Sequence, residues 1–159
     1  MAIDSVFQWW AGLLAQSRGS LGGTSGMMEE ARMDERRHVL IVDDDERVLF
    51  VLSRALRTLE NEYHVETAPS SEEALQKAKA RRPDIVVTDI VMPGMDGVEL
   101  TEVIKDLHPD TEVIWITAYG RHRLQPDGER LDVHQCLEKP IGIAEIRQAV
   151  ADAAEHGEG

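Results

Sequence analysis

Cysteine occurs once in the 159 residues, at Cys136, so no disulfide can close within the chain and a cysteine-rich zinc site is excluded. Long apolar runs are missing: no stretch reaches the roughly 18 residues that a membrane span requires. Positive charge is scarce. Seventeen Lys and Arg face thirty Asp and Glu, a formal charge of -13. A field of that sign repels a phosphate backbone, so direct nucleic-acid binding is not expected. The N-terminus lacks a basic region ahead of its apolar residues, because Asp4 stands there in MAIDSVFQWW. That argues against a secretory signal and leaves the cytoplasm as the expected compartment. What remains, 42% hydrophobic and 30% charged, is the balance of a folded domain with a sizeable core.

Residues 1–37 differ in texture from the rest. Val6, Trp9, Trp10, Leu13 and Leu14 recur at roughly helical spacing, SRGSLGGTSG reads as a flexible linker, and Met27 to Arg37 forms a charged stretch. The apolar segment has three readings: packing on the domain or on a second copy (a homodimer), docking on another protein or a membrane surface, or a start assigned upstream of Met27, Met28 or Met33. Membrane contact is the least supported of these, for want of basic residues to meet anionic lipid.

From residue 38 the pattern is regular. HVLIV reads as a buried strand, followed by Val48, Leu49, Leu52, Leu56 and Leu59 at helical spacing. YHVETA is a second strand, and Ser70 or Ser71 caps a helix that Pro83 ends. DIVVT runs into Asp89, the turn cluster MPGMDG precedes a helix from Val98 to Leu107, and EVIWIT is a fourth strand. Val133 to Leu137 is predicted as the last strand, before a helix from Ile143 to about Ala154 and a frayed tail at 156–159. Five strand–helix alternations with short connections imply an α/β fold, a doubly wound five-stranded parallel sheet covered on both faces.

In such a sheet ligands gather beyond the C-terminal ends of the strands. Four of the five strands deliver polar groups there: Asp43 and Asp44, then Asp89, Thr117 and Lys139. Carboxylates from separate strands repel unless a positive charge sits between them, and a hard divalent ion with oxygen ligands meets that need. A charge-balanced carboxylate is a nucleophile toward phosphorus, and the transferred oxygens then need partners such as the ion, a lysine and a hydroxyl. This is equipment for making and breaking an acyl phosphate.

LIVDDDE, DIVVTDIVMPGMDG, VIWITAYG and LEKP, spaced by 28 residues from Asp89 to Thr117 and 22 from Thr117 to Lys139, resemble the receiver domain of two-component response regulators over about residues 38–155. The resemblance implies a flavodoxin-like fold and a phospho-acceptor at Asp89. It implies Mg2+ held by Asp43, Asp44, Asp89 and the backbone carbonyl of Val91, with Asp44 the more direct ligand. Thr117 and Lys139 match the groups that bond the phosphoryl oxygens, and Pro140 the bend after the lysine, in the family usually a cis bond. Pro93 and Gly97 match residues that shape the loop after the acceptor. The partners implied are a sensor histidine kinase or histidine phosphotransfer protein as donor, and a downstream protein as receiver of the signal. The chain is then expected to act as a stand-alone response regulator rather than as a metabolic enzyme.

Besides the N-terminal segment, two departures qualify the match. Cys136 stands where the family commonly has Tyr or Phe, which leaves the usual Thr-to-aromatic coupling in doubt; it reads as a core thiol without a redox role. In RHRLQPDGERLD, Pro126 and Gly128 disfavour a continuous fourth helix, so a truncated helix or a loop is expected. Val91 and Tyr119, two residues beyond Asp89 and Thr117, resemble a gate that slows attack by water, the alternative being that Tyr119 packs against the stretch after it and points away from the site. Asp45 reads as a helix cap rather than a ligand, and none of His38, His64, His108, His122, His134 and His156 falls in a metal-binding spacing. Two competing functions remain. A pseudo-receiver would have lost an acid or the lysine, and an aspartate-nucleophile phosphohydrolase would carry an Asp where Val91 stands.

Overall fold

The computed structural model describes residues 35–59, 62–118 and 120–157. The expectations for Val6 to Leu14, the glycine-rich linker and Tyr119 fall outside these residues. The chain divides after Arg36, and the unit that begins at Arg37 is the one described.

It is built as β1 (Arg37–Val42), α1 (Glu46–Arg57), β2 (Tyr63–Ala68), α2 (Ser71–Ala80), β3 (Ile85–Asp89), α3 (Gly97–Leu107), β4 (Glu112–Thr117), a 3-10 turn (Arg121–Arg123), α4 (Gln125–Arg130), β5 (Gln135–Glu138) and α5 (Ile143–His156). The sheet runs β2-β1-β3-β4-β5 with every pairing parallel. This is the doubly wound fold that the strand–helix alternation implies.

The central strands read as unbroken apolar runs because both of their faces are covered. On one face Val39, Ile41, Ile85 and Val87 pack with Leu52 and Leu56 of α1 and Ile146 and Val150 of α5. On the other, Leu40, Val42, Val86 and Trp115 pack with Ala74 and Ala78 of α2 and Leu100 and Ile104 of α3. Complete burial of one such Leu or Ile side chain contributes about 1.5–3 kcal/mol. Trp115 is fully buried, and its indole N–H donates to Thr101 Oγ1 at 2.8 Å, so its polar atom is satisfied in the core.

Side-chain caps fix where three helices begin. Asp45 accepts the Arg47 N–H at the start of α1, Ser70 accepts that of Glu73 ahead of α2, and Asp96 and Glu99 form a capping box on α3. Asp45 is thereby accounted for as a cap. The 121–132 stretch holds the 3-10 turn and a six-residue helix with no buried residue. Pro126 sits in the first turn of α4, where its missing N–H leaves no hydrogen bond unmade, so the proline starts a truncated helix. β5 begins at Gln135 rather than Val133, whose N–H is committed to the Gly128 carbonyl at 2.8 Å. Among the described residues no helix is long and apolar enough to cross a membrane.

Candidate functional site

The strand order reverses between β1 and β3, and their C-terminal ends open a crevice there. β1 ends one residue before Asp43, and β3 ends on Asp89. The two carboxylates thus flank the crevice from adjacent strands. Asp43, Asp44 and Asp89 each bring one carboxylate oxygen to within 4.8 Å of the others. Asp43 and Asp89 are buried, at 1% and 7% exposure, while Asp44 faces solvent.

Lys139 follows the end of β5 and reaches across the rim. Its Nζ donates to Asp43 Oδ2 at 3.2 Å and to Asp89 Oδ2 at 3.4 Å. The backbone holds it in place, since its N–H bonds to the Thr117 carbonyl at 2.8 Å and its peptide with Pro140 is cis. Thr117 ends β4 one residue beyond Ile116, the register partner of Asp89, and is buried on the same rim. Val91 lies in the loop two residues after Asp89 with its side chain exposed. The remaining oxygens are partly committed: Asp43 Oδ1 accepts the Asp45 N–H at 2.8 Å, and Asp89 Oδ1 accepts the Ile90 N–H at 2.9 Å.

Gly97 sets the distance between this rim and α3. A Cβ there would lie 2.2 Å from the Asp89 carbonyl oxygen and 2.8 Å from Ile90 Cα, so only glycine lets the helix start this close. Its N–H donates to the Ile90 carbonyl at 2.8 Å, which joins the first turn of α3 to the end of β3. Gly94 takes φ +75°, the left-handed turn of the intervening loop.

Asp43 and Asp89 share one ammonium, and the crowding shows at Asp89. Burial raises the Asp89 carboxyl above the ordinary carboxylate range and the Asp43 charge adds to that, against the pull of Lys139. Lys139 holds its proton more tightly than usual: partial burial works against its charge, but Asp43 and Asp89 outweigh that cost. A rim still short of positive charge and rich in carboxylate oxygens fits a hard divalent cation.

Cys136 is half-buried beside Trp115, its register partner, and burial pushes its thiol pKa up, so it stays a protonated packing group. A cavity of about 580 Å³ lies next to it, under α4, lined by Trp115, Leu124, Gly128 and Val133 among others. Its lining does not include Asp43, Asp44 or Asp89. A second cluster escaped the spacing of residues along the chain: His38, His64 and Glu66 bring ligand atoms to within 4.8 Å of one another. They meet only because the register sets residue 38 against residue 64.

The response regulator receiver domain family matches residues 39–151. Over 112 residues the chain is 33% identical to the response regulator GacA of Pseudomonas viridiflava, covering 70% of this chain and 52% of that protein. It is equally similar, 33% over 112 residues, to sporulation initiation phosphotransferase F of Bacillus subtilis, with 70% of this chain and 89% of that one covered. The chain therefore spans about half the length of GacA. Among solved structures it is similar to the signal receiver domain of an HD domain-containing protein from Pseudomonas fluorescens, with TM-score 0.72, 29% identity, and coverage of 77% of this chain and 98% of that one.

Proposed function

Since the chain belongs to the response regulator receiver domain family, we propose that Asp89 accepts a phosphoryl group from a phosphohistidine on a sensor kinase or histidine phosphotransfer protein. The observation that carries this reading is the meeting of Asp89 with Asp43, Asp44 and Lys139 at the switch point of the sheet.

In the proposed reaction an Asp89 carboxylate oxygen attacks phosphorus as the phosphorus–nitrogen bond of the donor breaks. The imidazole leaves with the bonding pair and takes up a proton, and an acyl phosphate remains on Asp89. Lys139 keeps the carboxylate charged and oriented beforehand, then turns to a phosphoryl oxygen. The Thr117 hydroxyl donates to another. Asp43, Asp44, Asp89 and the Val91 carbonyl are the groups that would hold Mg2+, which supplies positive charge for the phosphoryl oxygens when bound. The output is a contact with a downstream protein or onward phosphotransfer. Similarity over 89% of a protein named as a phosphotransferase supports the second.

The test is intact mass after incubation with acetyl phosphate, with and without Mg2+. The parent is expected to gain about 80 Da, one phosphoryl group, only with Mg2+, and Asp89→Asn to gain nothing. An adduct of equal yield on Asp89→Asn overturns the assignment.

A further inference from the structure

We propose that His38, His64 and Glu66 form a second cation site, of the zinc class, toward the end of the sheet opposite the acidic rim. His38 and His64 are register partners on β1 and β2, and Glu66 lies two residues beyond His64, on the same face of the strand. Asp43 stands five residues further along the chain than His38, about 16 Å at the rise of an extended strand, so the two clusters are separate.

The separations put the three groups within reach of one ion, with one Glu66 oxygen facing each ring. His38 Nε2 lies 3.2 Å from Glu66 Oε2, and His64 Nε2 lies 3.7 Å from Glu66 Oε1. Zinc bonds near 2.0–2.1 Å place neighbouring tetrahedral ligands about 3.3 Å apart. The far side of His38 is also suited to a metal. Its Nδ1 faces the Arg82 carbonyl at 3.4 Å, an acceptor to which that nitrogen donates when Nε2 holds a metal. Metal-bound histidines commonly donate their other ring N–H to such a carbonyl, which fixes the tautomer and aims the free nitrogen.

Nε2 faces the Glu66 carboxylate, and the two atoms, 3.2 Å apart, can share either a proton or a cation. A proton serves these two groups alone; a divalent ion engages His64 as well. Two imidazoles and one carboxylate favour zinc over magnesium, which prefers oxygen throughout. His38 is buried at 1% exposure, whereas the His64 and Glu66 side chains are 23% and 35% exposed, which leaves an entry path and room for water as a fourth ligand. A chain carrying a charge of -13 also attracts cations in general. The ion would fasten the edge strand β2 to its neighbour.

Zn2+ is the probe, added to the full chain in excess Mg2+ so that the oxygen-rich rim is already supplied. At a hundredfold excess over its dissociation constant, Zn2+ is expected to raise Tm by about 5–10 °C. Co2+ in its place is expected to give the visible absorption of a tetrahedral site. His64→Gln and Glu66→Gln, both at partly exposed positions and checked for folding by a metal-free melt, are each expected to weaken Zn2+ binding at least about tenfold. Asp44→Asn is expected to leave Zn2+ binding as it is. The proposal is overturned by a parent without the Tm shift or the Co2+ band, or by a shift that survives in both variants. Loss of the shift in Asp44→Asn also overturns it, by assigning the zinc to the acidic rim.

Discussion

Asp89→Asn removes a charge from the rim and almost nothing else. Asparagine has the same outline, and its Oδ1 keeps the 2.9 Å bond from the Ile90 N–H. Lys139, 3.4 Å away, attracts the Asp89 carboxylate by about 5 kcal/mol at an effective dielectric of 20. Asp43, with an oxygen within 4.8 Å, repels it by about 3.5 kcal/mol on the same basis. Asp44 faces solvent and adds only about 1 kcal/mol of repulsion. These contributions nearly cancel, so the loss of hydration decides. Asp89 is 7% exposed, and burial is accordingly the leading cause of its raised pKa. In EDTA at pH 7 the asparagine variant is expected to be more stable than the parent by about 1–2 kcal/mol, or about 3–8 °C in Tm. Asp89 binds its proton more tightly folded than unfolded. Its contribution to stability is therefore full below the unfolded value of about 3.9 and is lost as pH rises through the folded pKa. The advantage of the variant should thus shrink toward pH 4 and be largest near neutrality. Thermal melts of both proteins across that range, and again with Mg2+, provide the assay. Mg2+ is expected to raise the parent more than the variant. A variant no more stable than the parent at pH 7, or an advantage that persists undiminished toward pH 4, refutes the reasoning.

Lys139→Met leaves Asp43 and Asp89 facing each other without a cation, and a loss of about 3 kcal/mol is expected by urea titration in EDTA. The same variant should bind Mg2+ more tightly by calorimetry, because a competing positive charge is gone. Gly97→Ala drives a Cβ into the Asp89 backbone, which does not yield like a flexible side chain, so a loss of about 2–4 kcal/mol is expected in the same titration. Hydrogen exchange should be fast across Arg121 to Asp132 relative to β3 and β4, since neither the 3-10 turn nor α4 buries a residue. Uniformly slow exchange there would show that tertiary contacts hold the segment.

The acidic rim was legible because each of its groups ends an apolar run, and a parallel sheet delivers every such end to one edge. LIV before Asp43 and VVT before Asp89 carry that information without any knowledge of pairing. Pro126 reads as a breaker in the sequence, and the truncated α4 agrees; residue type alone does not reveal that a proline in the first turn starts a helix. The sequence places the start of β5 two residues early because Val133 has a strand-forming side chain, while its N–H is taken by the Gly128 carbonyl. His38, His64 and Glu66 were invisible as a group for a different reason. Their proximity depends on which strand pairs with which and in what register, and spacing along one chain does not encode that.

The double grip of Lys139 on Asp43 and Asp89 has a consequence for the order of folding. The three residues stand at the C-terminal ends of β1, β3 and β5, so contacts across 96 and 50 positions of chain must close before the rim exists. Contacts this distant in sequence carry a large loop-closure cost and tend to form late. Until β5 docks against β4, Asp43 and Asp89 have each other as neighbours and no lysine between them. A partly folded chain, or one still emerging from synthesis, therefore carries the aspartate without the charge that readies it. On the proposed function, competence to take up phosphate would thus be acquired only when the sheet closes.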